Sequence, residues 1–117
     1  MDSKTIRRGD IWFATLDPAL GGEIRKRRPV VIVSNDAANR AAGVVTVVPL
    51  TSNVDRVFPF EVLLPARTTG LGIDSKACAQ QVRTIAKQRL AGNKAGAVPA
   101  TAMRALDAAL RLHLGLG

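Results

Sequence analysis

The chain has 117 residues, of which 47% are apolar and 22% are charged. This balance is typical of one globular domain with a buried core, and it excludes an intrinsically disordered chain. Seventeen Lys and Arg against nine Asp and Glu give a formal charge of +8. Such an excess favours a polyanionic partner such as nucleic acid, or an acidic protein that covers the surface.

The cysteine and histidine content and the N-terminal segment limit the chemistry and the location. Cys78 is the only cysteine and His113 the only histidine, so an intramolecular disulfide and a Cys/His zinc site are excluded. Residues 1–8 carry cations with no apolar segment behind them, and no apolar run reaches the roughly 18 residues of a membrane span. We therefore predict a cytoplasmic protein with no signal peptide, no metal and no cofactor.

The first predicted strand covers residues 9–16 and ends before an Asp-Pro pair. A basic stretch follows at residues 21–29, where a Gly-Gly pair, a glutamate and four consecutive cations come before Pro29. Residues 30–34 are mostly β-branched and predict a buried strand, so we expect Arg28 at the junction of a flexible loop and a rigid strand. On charge alone, a solvated turn and a phosphate-binding loop are equally good interpretations of this stretch.

The middle of the chain alternates short apolar runs with turn residues. A short helix or turn is predicted at residues 35–43, with Asp36 as its cap and Gly43 at its end. Further strands are predicted at residues 44–48 (running on to 51–53), 60–64, 75–79 and 82–85, with a flexible connection at 67–72 and one helical turn at 87–91.

The clearest predicted element is a helix whose first turn contains Pro99. Asp107 and Arg111 are expected to form an i,i+4 pair on its polar face. Its apolar face is predicted to carry Met103, Leu106, Leu110, His113 and Leu114. Short strands followed by one C-terminal helix predict a single, mainly β domain over residues 1–117, a small and strongly bent antiparallel sheet or barrel with the helix packed on it.

Few side chains offer chemistry. The chain has no glycine-rich nucleotide loop, no nucleophile elbow and no metal-ligand spacing. His113 is interpreted as a packed helix-end residue, and Cys78 as a small buried residue. The remaining candidates suit cleavage of an RNA phosphodiester by its own 2′-hydroxyl, which needs a base, a cation on the phosphate and help for the leaving 5′-oxygen. These candidates are Glu23, Arg28, Thr51 and Ser52.

Six short motifs, taken together and in order, resemble the MazF/PemK toxins. They are Arg8-Gly9-Asp10-Ile11-Trp12, Leu16-Asp17-Pro18, Gly22-Glu23, Arg28-Pro29-Val30-Val31-Ile32-Val33, Pro49-Leu50-Thr51-Ser52 and Gln81-Val82-Arg83-Thr84-Ile85. The likeness runs over about residues 7–114. It implies an SH3-like barrel of bent antiparallel strands with a C-terminal helix, which forms a homodimer.

The resemblance also implies a function. Members of the family are endoribonuclease toxins of toxin–antitoxin pairs that cleave single-stranded RNA, chiefly mRNA, without a metal. The products carry a 2′,3′-cyclic phosphate and a 5′-hydroxyl, and an acidic antitoxin protein blocks the RNA groove.

By position, Arg28 and Thr51 match the catalytic arginine and threonine of the family, and Glu23 matches a carboxylate that matters in some members. The loop that helps to read RNA corresponds to residues 21–27, with the cations Arg25, Lys26 and Arg27. Ser52, Asn53, Arg56 and Gln81 match positions beside the RNA groove.

One departure from the family concerns the acid and base. Some members carry an arginine and an aspartate at the positions where this chain has Cys78 and Gln80, and neither of these two side chains transfers protons readily. The general acid therefore stays open, and Arg28 is assigned to charge stabilisation because a guanidinium, with a pKa above about 12, is a reluctant proton donor.

Two other functions remain as alternatives. A toxin of the same fold that poisons DNA gyrase would depend on an aromatic-containing chain terminus, which this sequence lacks. A non-catalytic RNA-binding barrel would need exposed aromatic side chains for base stacking. Most of the four aromatic residues are predicted to lie in the core, namely Trp12, Phe13, Phe58 and Phe60.

Overall fold

Seven strands and three α-helices follow one another in a computed structural model that describes residues 5–117. Residues 1–4 lie outside the described residues. They are half of the segment, residues 1–8, that was assessed for a signal peptide. The strands are β1 (Asp10–Thr15), β2 (Arg27–Ile32), β3 (Val44–Thr51), β4 (Glu61–Leu64), β5 (Ser75–Cys78), β6 (Arg83–Ala86) and β7 (Leu90–Ala97). The helices are α1 (Asp36–Ala41), α2 (Ala66–Thr69) and α3 (Ala100–Leu114).

The strands form one antiparallel sheet in the order β4-β5-β3-β2-β1-β7, with β6 paired to β3. Strand β3 bends this sheet because it changes partner along its length. It pairs with β6 from Val44 to Val47, with β2 up to Pro49, and with β5 at Leu50 and Thr51. The prediction of a mainly β domain of bent antiparallel strands is confirmed. Over residues 5–117 the sheet is barrel-like without closing, since its path starts at β4 and ends at β7.

Two buried clusters use the two faces of the central strands, because successive side chains of a strand point to opposite faces. Ile11 and Val31, which are paired, belong to the cluster that packs against α3. Trp12 and Val30, the next pair, belong to the second cluster. Helix α3 contributes three buried side chains: Met103, Leu106 and Ala109. Central strands with both faces buried provide rigid supports for the residues at their ends.

The basic stretch is partly strand, which differs from the prediction. Strand β2 begins at Arg27 because the stretch pairs with β1, Arg27 opposite Thr15 and Arg28 opposite Ala14. Pro29 is tolerated there, since pairing of β2 with β3 begins only at Val30 and proline suits a strand position with one paired side. Arg28 therefore lies on a rigid element.

Two connecting segments differ in part from the sequence prediction. Residues 67–72 were predicted as a flexible connection, but helix α2 covers the first three of them and is followed by Gly70 as its C-cap, whose φ of 85° suits glycine. Residues 87–91 were predicted as a helical turn, but only Lys87–Arg89 forms a 3-10 turn. Strand β7 follows at once, held by its pairing with β1.

The helix ends also differ from the sequence prediction. Asn35, and not Asp36, caps α1, since its side chain accepts a hydrogen bond of 2.8 Å from the Ala38 amide. The C-terminal helix is confirmed, with Pro99 at its N-cap. Asp107 forms its ion pair with Arg8 and not with Arg111.

The end of helix α3 is more exposed than predicted. His113 and Leu114 were expected on its packed face, but both side chains are exposed, because the last turn extends beyond the sheet-facing cluster that ends at Ala109 and Leu110. Among residues 5–117, no helix has the length and apolar character needed to cross a membrane.

Candidate active site

The connection between β1 and β2, residues 16–26, is called the basic loop here. Its base is closed by two hydrogen bonds of 2.9 Å, from the Leu16 amide to the Lys26 carbonyl and from the Lys26 amide to Asp17 Oδ1. Arg89 supports the same base by donating to the carbonyls of Thr15 and Asp17 at 3.1 and 2.8 Å. The loop is thus anchored where it joins the sheet.

Gln81 anchors the middle of the basic loop. Its Oε1 accepts from the Ile24 amide at 3.2 Å, and its Nε2 donates to the Gly22 carbonyl at 3.1 Å. The sequence predicted Gln81 beside the RNA groove. The structure places it against the basic loop, with one hydrogen bond from each end of its amide to the loop backbone.

Arg28 is half-buried and is the second residue of β2, directly after Arg27. Its Nε donates to the Arg25 carbonyl at 3.2 Å, and among residues 5–117 its two terminal nitrogens have no hydrogen-bond partner. It borders a cavity of about 180 Å³ that is mostly apolar and also includes Phe13, Leu50 and Ser52. A guanidinium held at Nε with both terminal nitrogens free is well arranged to bind two phosphate oxygens.

Thr51 lies at the end of β3 and lines a second cavity of about 220 Å³, called the Thr51 cavity here. Its Oγ1 accepts a hydrogen bond of 3.3 Å from the Asn53 amide, and it is paired with Lys76 of β5. The residues that line the cavity are Ile24, Thr51, Asn53, Glu61, Lys76, Cys78, Gln80 and Gln81. Two predicted site residues, Asn53 and Gln81, therefore share this cavity with Thr51.

Glu23 is turned back into the basic loop. Its Oε1 accepts a hydrogen bond of 2.5 Å from the Leu20 amide. It lines an open groove with Gly22, Gln80 and Gln81 that includes neither Arg28 nor Thr51. The structure brings Glu23 to the neighbourhood of the Thr51 cavity through the shared glutamines, but it does not place the carboxylate beside Arg28.

The four predicted RNA-binding cations, Arg25, Lys26, Arg27 and Arg56, line neither of these two cavities. Arg25, Lys26 and Arg27 are exposed, and the Arg27 guanidinium lies 5.2 Å from the centre of the Phe13 ring. Arg56 lies similarly over Phe58, at 5.4 Å. Arg27 directly precedes Arg28 on β2. The Arg56 carbonyl accepts a hydrogen bond from Lys76, which is paired with Thr51, so each arginine is linked to one of the two predicted catalytic residues.

The aromatic residues are only partly in the core. Trp12 is buried, but Phe58 is 39% exposed. Its ring is stacked on Phe60 with centroids 5.3 Å apart. The expectation that most of the four aromatics are core residues is wrong, because only Trp12 is buried in a core cluster, whereas Phe13 and Phe60 are half-buried. Phe58 lies in the irregular segment between β3 and β4.

A buried charged network beside Thr51 was missed at the sequence level. Glu61 Oε1 accepts hydrogen bonds from Lys76 Nζ at 2.9 Å and from the Phe58 amide at 3.0 Å. Its Oε2 accepts from Gln80 Nε2 at 2.7 Å. The available signal was a glutamate and a lysine inside two predicted strands, 15 residues apart.

The electrostatics of this network are consistent with an ion pair beside an inert thiol. Burial alone would raise the pKa of Glu61, but the hydrogen bonds from the Phe58 amide, Gln80 and Lys76 outweigh it and lower that pKa. Burial and the negative charge of Glu61 raise the pKa of Cys78 to about 11. Cys78 is therefore a buried thiol and not a nucleophile, as predicted.

Comparisons with known proteins agree on one family. A family model described as PemK-like, MazF-like toxin of type II toxin-antitoxin system matches residues 7–114. The chain is 53% identical over 116 residues to Endoribonuclease MazF9 of Mycobacterium tuberculosis, which covers 95% of this chain and 98% of that protein.

Solved structures share the fold as well. The crystal structure of MazF from Deinococcus radiodurans matches with a TM-score of 0.84 at 26% identity, covering 97% of this chain and 99% of that one. A mycobacterial endoribonuclease in complex with its cognate antitoxin matches with a TM-score of 0.75 at 28% identity, covering 95% and 96%.

Proposed function

The chain belongs to the PemK-like, MazF-like toxin family, and we propose that it is the endoribonuclease toxin of a type II toxin–antitoxin pair. The observation that carries this proposal is the placement of Arg28 and Thr51 at the ends of neighbouring strands, with no hydrogen-bond partner for the Arg28 terminal nitrogens among residues 5–117. The match over residues 7–114 supports treating the chain as a single toxin domain.

The proposed reaction is cleavage of single-stranded RNA by its own 2′-hydroxyl. The 2′-oxygen attacks phosphorus, the bond from phosphorus to the 5′-oxygen breaks, and a 2′,3′-cyclic phosphate and a 5′-hydroxyl result. Arg28 stabilises the negative charge that develops on the phosphate oxygens, and the Thr51 hydroxyl donates a hydrogen bond to one of them. Because the substrate supplies its own nucleophile, no metal-bound water is needed.

Glu23 is the proposed acceptor of the 2′-hydroxyl proton. Its carboxylate lies in the groove that adjoins the Thr51 cavity, and it accepts a hydrogen bond from the backbone amide of Leu20 within the same loop. A small change in the basic loop on RNA binding would bring it towards the substrate.

The partners follow from charge and surface. Arg25, Lys26 and Arg27 are exposed cations of a chain with a formal charge of +8, which suits RNA and, in competition with it, an acidic antitoxin protein. Exposed apolar side chains such as Ile73 and Leu112 offer surface that a homodimer would bury. A cytoplasmic location is proposed because mRNA, the proposed substrate, is found there.

Cleavage of a long single-stranded RNA in EDTA tests this function. The unmodified protein should give discrete products with 5′-hydroxyl ends, and Arg28→Ala should lower the rate by about 100-fold or more with only a small loss of RNA affinity. Arg104→Ala, which removes an exposed arginine on α3, is the matched control and should cut normally. Unchanged cutting by Arg28→Ala would contradict the assigned role.

The alternative of a non-catalytic RNA-binding barrel has one observation in its favour. Phe58 is exposed and stacked on Phe60, with Arg56 over its ring, an arrangement on which an RNA base could stack. The same assay separates the two functions, since binding without cutting by the unmodified protein would support the alternative.

A further inference from the structure

We propose that Lys76 is the proton donor to the leaving 5′-oxygen, and that Glu61 is the residue that positions its ammonium group. The inference rests on the proposed function, since the endoribonuclease reaction creates the 5′-oxygen that needs a proton. No residue carried over from the family resemblance fills this role.

Lys76 lies beside the proposed catalytic threonine. The two residues are directly paired between β3 and β5, so their side chains are on the same face of the sheet. Both line the Thr51 cavity. A phosphate bound by Thr51 would therefore lie within reach of the lysine.

Two hydrogen bonds hold the ammonium group of Lys76 in place and leave its third N–H donor for a ligand. Its Nζ donates to Glu61 Oε1 at 2.9 Å and to the Arg56 carbonyl at 2.6 Å. A lysine carries three N–H donors, and within residues 5–117 the third has no protein acceptor. The Lys76 side chain is 11% exposed and that of Glu61 is 3% exposed, so the ammonium is largely shielded from solvent while its residue lines the Thr51 cavity.

Glu61 is itself rigidly supported, which makes it a positioning residue. Two further donors, the Phe58 amide and Gln80 Nε2, bind its carboxylate oxygens. The three donors lower the pKa of the Glu61 carboxyl, so the carboxylate keeps its charge and orients the lysine. A side chain that is otherwise flexible is thereby held in one geometry.

The other side chains near the cavity are poorer donors. Cys78 is a buried thiol, and Gln80 is neutral and carries no acidic proton. Arg28 is a guanidinium, which holds its protons too tightly for rapid transfer. His113 lies exposed at the far end of α3 and does not line the cavity.

The proton and electron balance is complete. The 2′-oxygen forms a bond to phosphorus and its proton passes to the general base. The bond from phosphorus to the 5′-oxygen breaks, its electron pair goes to that oxygen, and a proton from Lys76 Nζ gives the 5′-hydroxyl product. The neutral lysine then takes a proton from solvent, so no co-reactant is required.

A substrate with a bridging 5′-sulfur tests the proton transfer directly, because a thiolate leaves without protonation. After the cleavage site is mapped on ordinary RNA, the same oligonucleotide is made with oxygen or sulfur at that position. Lys76→Met should cut the oxygen substrate at least about 100-fold more slowly and the sulfur substrate within a few-fold of the unmodified protein. Lys76→Arg, which keeps the charge, should show the same pattern and serves if Lys76→Met does not fold.

The outcomes separate the inference from its premise. Lys94→Met, which removes a lysine that is 53% exposed on β7, is the matched control and should cut both substrates normally. Equal losses on both substrates for the Lys76 variants, or no loss on the oxygen substrate, would overturn the role of Lys76 while leaving the nuclease intact. Failure of the unmodified protein to cut the oxygen substrate would instead overturn the proposed function.

Discussion

Replacing Glu61 by alanine should destabilise the fold strongly, independently of any effect on cleavage. The residue is 8% exposed, and its carboxylate accepts hydrogen bonds from the Phe58 amide, Lys76 and Gln80. Alanine would leave these three donors without their acceptor, and one of them is an ammonium whose side chain is only 11% exposed.

The expected loss of unfolding free energy in Glu61→Ala follows from the burial of the ion pair. Removing one partner of a buried ion pair costs about 3–5 kcal/mol, because the remaining charge stays desolvated and unpaired. The Lys76 ammonium keeps one bond to the Arg56 carbonyl, so a loss near the lower end, about 3 kcal/mol, is expected. By contrast, the ion pair between Arg8 and Asp107 has side chains that are 33% and 31% exposed, and pairs of this kind contribute about 0–1 kcal/mol.

Urea unfolding followed by circular dichroism measures both variants. Glu61→Ala and the matched control Asp107→Ala should be compared at one protein concentration, because the stability of the proposed homodimer would depend on concentration. Glu61→Leu combined with Lys76→Met should recover much of the loss, since it removes both charges together. A loss for Glu61→Ala no larger than that for Asp107→Ala would refute the view that the network is buried and coupled.

Four further predictions concern other parts of the chain. The pKa of Glu61 is lowered in the fold, so its contribution to the free energy of unfolding should be fully present above the unfolded-state pKa and lost as the pH falls through the lower folded-state pKa. Glu61→Gln should therefore flatten the acid limb of a curve of unfolding free energy against pH. Gln81→Leu removes both hydrogen bonds to the basic loop, and trypsin should then cut the loop several-fold faster. An unchanged cutting rate would mean that the hydrogen bonds where the loop joins the sheet are enough to hold it. Cys78, with its pKa raised to about 11, should resist iodoacetamide at pH 8 until urea unfolds the protein, and rapid labelling of the native state would contradict its burial. A Cβ at Gly96 would lie 2.2 Å from the Thr69 carbonyl oxygen while one at Gly43 meets nothing within 4 Å, so Gly96→Ala should cost about 1–3 kcal/mol and Gly43→Ala almost nothing in the same urea titration.

Most strands were predictable because their signal is local. Residues 44–51 are mainly β-branched and apolar, and strand β3 covers the same residues. Strand β7 was missed because its sequence, LAGNKAGA, contains no β-branched or aromatic residue. Its pairing with β1, some 80 residues earlier in the chain, creates that strand, and sequence periodicity does not report such pairing.

The candidate site likewise contains residues that could be predicted from the sequence and contacts that could not. Arg28 and Thr51 stand out because each belongs to a short motif at a strand end. The contact between Glu61 and Lys76 depends on the register of β4 and β5, in which Glu61 lies opposite Cys78 and Lys76 opposite Leu63. A shift of one residue would point these charges to opposite faces, so their partnership could be known only from the structure.

The way in which Gln81 holds the basic loop has a consequence for how such a protein can change over generations. The glutamine binds the carbonyl of Gly22 and the amide of Ile24, which are backbone groups that almost any residue provides. Replacing the neighbouring side chains, including those of Arg25 and Lys26, leaves both attachment points in place. Under the proposed role of the loop in RNA recognition, mutation could therefore alter its sequence preference without first having to rebuild the support that presents it.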